Sequence, residues 1–380
     1  MGMRASPPSE TETLRKGLEE IRRRLPAGWR LDTTPGLKKT PPTGTRELDA
    51  LVRLKGPDGR CVNLATEVKT DGSPRTTRTA LQQFRSYASK TDLLFIAPFL
   101  PRRSREIAKA EGANYADLTG NIRLALNRPA IFLRDRGADV NPYCGKDIER
   151  SLTGPRAARV ILWICQLKPP VTSWLLTQAA QGSKVSLAYV SRLIQLLERE
   201  DLVRRAPRGP IREVDRPGLV RRWAQDYDLL RSNRARLYLD PRGVKRTLEA
   251  LGGKEFQRKQ VGQLVVTGSF AANRYVPIAA PSKLICYADD IEVTARALDL
   301  SPATTTGNVF LLSPYDRIVF ETQYESISGF DGPIPMAAPA QIAVDCLTGP
   351  DRMPEEGEAL IAWLQRNWDG WKGFGREVRS

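Results

Sequence analysis

The sequence predicts an α/β multi-domain chain, on three observations. At 380 residues it exceeds one ordinary domain, and 41% hydrophobic residues are enough for more than one core. Apolar spacing alternates between helical and strand-like up to about residue 150. A mainly helical stretch then runs to about residue 255, followed by strands and then helices, an α+β order. The expected domains are 1–150, 151–255 and 256–380, with Gly154-Pro155 as the linker between the first two.

In the first domain, Leu14, Leu18, Ile21 and Leu25 recur at helical spacing. After a Pro/Gly/Thr-rich stretch (Pro35 to Gly44), Leu48–Leu54 and Cys61–Val68 read as two strands. Gly56-Pro57-Asp58-Gly59 between them is a strong turn signal. Thr79–Ala88 and Ser104–Glu111 read as helices, and Leu93–Ala97, Ile122–Leu126 and Ala130–Leu133 as strands.

In the middle domain, Arg156–Leu167 reads as a helix ended by Pro169-Pro170, since proline cannot continue the ladder. Thr172–Gln181 is a second helix, closed by Gly182. Ser186–Arg199 is a third, with Ser186 placed to cap it. Val190, Leu193, Ile194 and Leu197 form its apolar stripe. Leu202–Arg205 and Ile211–Val214 read as a hairpin around Pro207-Arg208-Gly209-Pro210. The last domain begins with strands at Gln263–Thr267, Lys283–Tyr287 and Val309–Leu312. It ends with helices at Pro339–Leu347 and Pro354–Trp368. Trp363, Trp368 and Trp371 are expected as core or interface anchors.

Charge gives the first functional constraint. The net charge is +16, but residues 281–380 carry 8 Lys/Arg against 15 Asp/Glu, so residues 1–280 hold +23. A basic body with an acidic tail points to a polyanion partner for the body; a composition biased toward arginine is the other reading. The chain has no histidine, which excludes Ser-His-Asp triads, Cys-His dyads and His-containing metal sites. Its five scattered cysteines (Cys61, Cys144, Cys165, Cys286, Cys346) lack a CxxC pair and fit a reducing compartment. No apolar run approaches the length needed to cross a bilayer, and residues 1–10 do not read as a secretory signal, so a cytoplasmic protein without membrane contact is expected.

Helix, turn, helix and basic hairpin together resemble winged helix-turn-helix regulators. The exposed face of the third helix would carry Ser186, Tyr189, Ser191, Arg192, Gln195 and Arg199, groups able to meet phosphates or base edges in a major groove. Lys184 precedes that helix. Arg204, Arg205, Arg208 and Arg212 lie in the hairpin, within a run from Val203 to Arg222 that holds seven Arg and two acids. The partner implied is double-stranded DNA; a winged helix used only for protein contacts is the alternative. Arg221–Arg246, Arg-rich with Trp223, Tyr227 and Tyr238, is either an extension of the DNA footprint or a solvated helix face.

A second constellation lies in the first domain. Asp49 opens one strand, and Glu67-Val68-Lys69 ends the next. With the turn centred between Pro57 and Asp58, position 49 faces position 66, so Asp49 and Glu67 are near neighbours while Glu67 and Lys69 share a face. Gln83 and Tyr87 follow one helical turn apart. Two carboxylates can hold Mg²⁺, and the lysine can assist a nucleophile. The order Asp…Glu-x-Lys…Gln-x-x-x-Tyr resembles the PD-(D/E)xK fold, a restriction-endonuclease-like α/β domain, most nearly its RecB-type branch, over about residues 12–135. The resemblance implies Asp49 and Glu67 as metal ligands and Asp49, Glu67, Lys69, Gln83 and Tyr87 as catalytic residues of a Mg²⁺-dependent nuclease. The same fold without activity, or a hairpin face with an ordinary salt bridge, are the other readings.

Asn114-Tyr115-Ala116-Asp117-Leu118-Thr119-Gly120-Asn121, followed by Ile122-Arg123-Leu124, resembles a segment of AbiEi-type proteins, the antitoxins and transcriptional regulators of type IV toxin–antitoxin systems. Val266–Ala272 and Ala338–Leu347 look like that family's C-terminal domain. The resemblance implies a regulator that represses its own operon, with a cognate toxin protein and a second copy of itself as further partners. The chain departs from the compact family form, whose winged helix is N-terminal. Gly268-Ser269 with Asp289-Asp290 also resembles a nucleotidyltransferase signature; a turn and a surface acidic pair that includes Glu292 is the alternative.

Overall fold

The computed structural model describes residues 6–35, 48–85, 92–143, 151–180, 185–259, 261–278, 280–322, 326–327 and 332–367. The fold is mixed α/β, and the chain divides into two compact units: residues 1–148 with 198–201, and residues 149–197 with 202–380.

The first unit opens with α1 (Glu10–Arg22), whose Ser9 hydroxyl accepts the Glu12 N–H as an N-cap. An antiparallel meander follows: β1 (Arg30–Pro35), β2 (Ala50–Lys55) and β3 (Cys61–Val68). Two crossovers then add parallel strands, α2 (Pro74–Arg85) leading to β4 (Asp92–Ala97) and α3 (Arg102–Ala110) leading to β5 (Asn114–Asp117). Antiparallel β6 (Ile122–Asn127) and β7 (Ala130–Asp135) finish a seven-stranded sheet in order β1 to β7. Leu18 and Ile21 of α1 pack with Val52, Leu54, Leu64, Ile96 and Leu124. Leu81 and Phe84 of α2 and Ile107 of α3 pack with Ala65, Phe95 and Tyr115, so β4 is buried on both sides.

Most elements lie within a few residues of their sequence-based expectation. The helix expected over Thr79–Ala88 begins five residues earlier, at Pro74, and its expected end falls outside the described residues. In this unit two strands have no counterpart in the sequence reading. β1 offers one leucine in six residues, and β5 carries polar residues at both ends, so neither shows an apolar period. The hairpin register also differs by one. Ala50 pairs with Thr66 and Lys55 with Cys61, which puts position 49 opposite 67 rather than 66. The turn closes by Gly56 N–H to Arg60 O and Gly59 N–H to Gly56 O.

The second unit starts with α4 (Pro155–Gln166), α5 (Ser173–Ala179) and α6 (Leu187–Arg199), then the hairpin β8 (Val203–Arg205) and β9 (Ile211–Val214). It continues with α7 (Arg216–Trp223), β10 (Arg234–Leu239), α8 (Val244–Gly252), α9 (Lys254–Arg258), β11 (Leu264–Thr267), α10 (Gly268–Ala272), β12 (Leu284–Ala288) and α11 (Ile291–Ala297). Then come β13 (Ser301–Pro302), β14 (Val309–Ser313), α12 (Ile318–Glu321), β15 (Ser326–Ile327), β16 (Ile334–Pro335), α13 (Pro339–Leu347) and α14 (Met353–Asn367). Five strands form one sheet in order β11-β12-β14-β10-β13, with β12 and β14 parallel.

Arg234–Leu239, placed by sequence in the helical middle stretch, is therefore a strand of this sheet. Trp223, Tyr227 and Tyr238 are buried. The aromatics of the Arg-rich 221–246 stretch therefore serve the core. One hydrophobic cluster runs from Leu152 to Leu364, and the boundary expected at residue 255 falls inside it, since Leu248, Leu251 and Phe256 all belong. Trp363 packs on Tyr275, with ring centroids 5.1 Å apart; Trp368 and Trp371 lie outside the described residues. No helix among the described residues is long and apolar enough to cross a membrane.

Candidate nucleic-acid interface

The three helices and hairpin of the second unit are held by local devices legible in the sequence. Pro155 stands in the first turn of α4. Thr172 caps α5 by accepting the Leu175 N–H at 3.0 Å. Ser186 caps α6 by accepting the Tyr189 N–H at 3.2 Å. Val190, Leu193, Ile194, Leu196 and Leu197 of α6 are buried in the cluster with Val160, Ile161, Ile164 and Leu176. That fixes the rotation of the helix and leaves Ser186, Arg192 and Gln195 exposed, with Tyr189, Ser191 and Arg199 half-buried beside them.

In the hairpin, Val203 pairs with Val214 and Arg204 with Glu213; a bulge follows between Arg204 and Arg205. Val171 adds an outer bridge through reciprocal bonds with Ile211 of 3.0 and 2.8 Å. The Ala206–Pro210 turn puts Arg208 at φ 51°, a left-handed conformation that non-glycine residues rarely adopt. Arg204, Arg208 and Arg212 are exposed; Arg205 is half-buried and donates to Gly209 O. Arg204 pairs with Glu213 at 3.0 Å. Lys184 lies outside the described residues.

The basic run is smaller than its sequence count. Arg216 donates to the carbonyls of Cys165 and Leu167, satisfying the end of α4. Arg221 pairs with Glu358, and Arg222 with Asp226. Four of the seven arginines between Val203 and Arg222 thus remain in the hairpin. Sequence reasoning overlooked Leu187 and Ala188, both exposed on the first turn of α6, with Leu187 at 52%. Apolar letters read as core, and only the fold shows that these two point away from it.

In the first unit, Asp49, Glu67 and Lys69 come together at one end of β2 and β3. Asp49 Oδ2 accepts the Val68 N–H at 2.7 Å. Lys69 Nζ stands 2.6 Å from Glu67 Oε1 and 3.9 Å from Asp49 Oδ2, and donates to Val68 O at 3.0 Å. Gln83 is exposed near the end of α2. It lies about 13 Å along the axis from the helix start that follows Lys69, at 1.5 Å per residue. Tyr87 lies outside the described residues. Oxygen-rich pairs suit Mg²⁺, which is commonly held by one or two carboxylates while waters and phosphates complete its shell. Among the described residues no group of three His, Cys, Asp or Glu side chains gathers, so the donor set here is that pair.

The segment 114–121 has a structural role. Asp117, fully buried, accepts from the backbone of Leu100, Thr119 and Asn121 and from the side chains of Thr119 and Asn121. Gly120 supplies the φ of +99° that the turn requires. Asp289 pairs with Arg317 and accepts the Gln263 N–H, Asp290 caps α11, and Glu292 pairs with Arg236. The acidic pair after Gly268-Ser269 is thus committed to the scaffold.

A buried polar cluster lies deeper in the second unit. Asp345 accepts from Tyr227, Tyr287, Thr267 and Gln341. Burial pushes its carboxyl up to about 6, and these hydrogen bonds pull against the rise. Burial, with the Asp345 charge added, keeps the hydroxyls of Tyr227, Tyr287 and Tyr315 protonated far above their ordinary range. No family model, no curated protein and no solved structure matches the chain.

Proposed function

We propose that the chain binds double-stranded DNA through a winged helix-turn-helix built from α4, α5, α6 and the β8–β9 hairpin, as a sequence-specific transcriptional regulator similar to AbiEi-type antitoxins. One observation carries this reading. α6 buries its apolar stripe completely and turns Arg192 and Gln195 outward, while the hairpin exposes Arg204, Arg208 and Arg212. α6 would read base edges from the major groove and the hairpin arginines would meet phosphates. A cognate toxin and a second copy of the chain belong to the same proposal through the resemblance.

The test is titration of the purified protein with duplexes from its own promoter and from a random pool, between 50 and 200 mM salt. Saturable binding that falls steeply with salt supports the proposal. Arg192→Ala should relax specificity, and Arg208→Ala should weaken all duplexes alike. Absence of saturable binding to any duplex at 50 mM salt overturns it.

A second reading rests on Asp49, Glu67 and Lys69. The order of α1, the β1–β3 meander and the two parallel crossovers supports a PD-(D/E)xK-type core, and the reading is a Mg²⁺-dependent DNA nuclease directed by the winged helix. Asp49 and Glu67 would hold the ion, which when bound supplies an activated water and charge stabilisation. Lys69 holds its ammonium beside both carboxylates, placed to offset charge building on a phosphate. Cleavage of plasmid DNA that requires Mg²⁺ or Mn²⁺ and vanishes in Glu67→Gln and Lys69→Met supports this. No cleavage of duplex, nicked or single-stranded DNA with either ion rules it out.

A further inference from the structure

On the exposed face of α6 the side chains change character along the axis. Leu187, Ser191 and Gln195 follow one another at i, i+4 and i+8, flanked by Ala188 and Arg192. Leu187, Ala188, Arg192 and Gln195 are exposed and Ser191 is half-buried, so the five form one accessible stripe, with Leu187 at its border beside the line of the buried Val190 and Ile194. Its first turn is apolar and its next two are polar. A single half-exposed leucine is commonplace. Here two adjacent apolar residues head a stripe whose other members are hydrogen-bonding groups. The neighbouring hairpin adds three exposed arginines against one acid, Glu213. That charge suits a polyanion better than an apolar protein groove. Among bases, only thymine offers an apolar group, its 5-methyl, at the major-groove edge, where guanine and adenine present acceptors suited to Arg and Gln.

We propose that Leu187, with Ala188, reads the 5-methyl group of a thymine in the bound site, making these two residues specificity determinants that the polar pattern alone does not reveal. This rests on the duplex-binding reading above. Arg192 and Gln195, one and two turns further along, supply the polar readout of adjacent base pairs.

The test begins with duplexes enriched by the full-length protein from a random synthetic pool, in which thymine is the only source of the methyl group. Each dT of the enriched site is then replaced by dU, which removes one methyl and leaves the hydrogen-bonding edge intact. Wild-type affinity should fall about fourfold at one position, the equivalent of ~0.8 kcal/mol for one buried methyl-sized group. Leu187→Ala should lose a similar factor on dT DNA and no longer distinguish dT from dU, the coupling expected of direct contact. Its thermal transition should match the wild type, since the side chain lies outside the core. Enrichment of a site at which every dU replacement is tolerated overturns this inference and leaves duplex binding standing. So does Leu187→Ala binding that keeps the full dT/dU difference, which would assign the apolar turn to another partner. Failure to enrich any duplex overturns the duplex-binding reading, and this inference with it.

Discussion

Asp117 accepts both the backbone N–H of Asn121, at 3.0 Å, and its side-chain amide, at 2.8 Å, closing the turn between β5 and β6 from within. With Leu100 and Thr119 adding their own bonds, one buried carboxylate satisfies five donors. Asp117→Ala would take this acceptor from the backbone N–H groups of Leu100, Thr119 and Asn121. A loss of about 3 kcal/mol is expected. It should appear as a lower urea midpoint at unchanged slope, with duplex affinity under native conditions unchanged. A midpoint equal to wild type would show that the turn closes without the carboxylate.

That turn shows what a sequence does and does not disclose. The Asn-Tyr-Ala-Asp-Leu-Thr-Gly-Asn segment stands out as a motif, yet its polar letters give no sign that Asp117 and Asn121 are buried. Periodicity reveals α6 because one face of it is continuously apolar, and the Pro207-Arg208-Gly209-Pro210 turn marks the β8–β9 hairpin. It fails for β1, a largely polar edge strand, and for β10, whose alternating arginines resemble a basic surface until β14 is seen beside it. The same limit affects the candidate interface. Counting charge over Val203–Arg222 treats Arg216 like Arg208, although one caps α4 and the other tips the hairpin. Only the fold decides which cation faces solvent, just as it decides that Leu187 does.

Asp345 makes stability depend on pH in an unusual direction. Its folded carboxyl titrates at about 6, against ~3.9 in an unfolded chain. Between about pH 4 and pH 6 the folded state therefore holds a proton that the unfolded state has released. Its contribution is fully present below this window and is lost as pH rises through it, by roughly 2–3 kcal/mol, and is level above. Asp345→Asn cannot titrate. The stability difference between wild type and this variant, measured by urea unfolding from pH 4 to pH 7.5, should change across that window and nowhere else. Parallel profiles would remove Asp345 as the titrating group.

Arg159 of α4 is 2% exposed and is bound by Asp316 and by Glu321, the latter at 2.6 Å. Burial works against its charge, and the two carboxylates more than offset that. Arg159→Leu would leave Asp316 buried without its counter-charge, at a cost of about 3–5 kcal/mol. Adding Asp316→Asn removes the stranded charge and should recover part of the loss. Non-additivity of at least ~1 kcal/mol in this cycle is the expected outcome. Strictly additive losses would mean that the pair is not coupled.

Arg208 sets stability against binding at a single position. Its φ of 51° is a conformation that costs an L-residue about 1 kcal/mol and costs glycine little. The side chain is exposed at the hairpin tip, where nothing in the core rewards the strain. Arg208→Gly should therefore stabilise the fold, by ~0.5 kcal/mol once the greater freedom of glycine in the unfolded chain is deducted. The same change removes one cation from the surface proposed to meet phosphate. Duplex affinity should fall uniformly across sequences, and the slope of log affinity against log salt should shrink by about one. Arg208→Lys, which keeps both strain and charge, should leave both quantities near wild type. If Arg208→Gly stabilises the protein while the salt slope stays the same, the hairpin tip does not touch the DNA backbone, and the strained arginine needs another explanation.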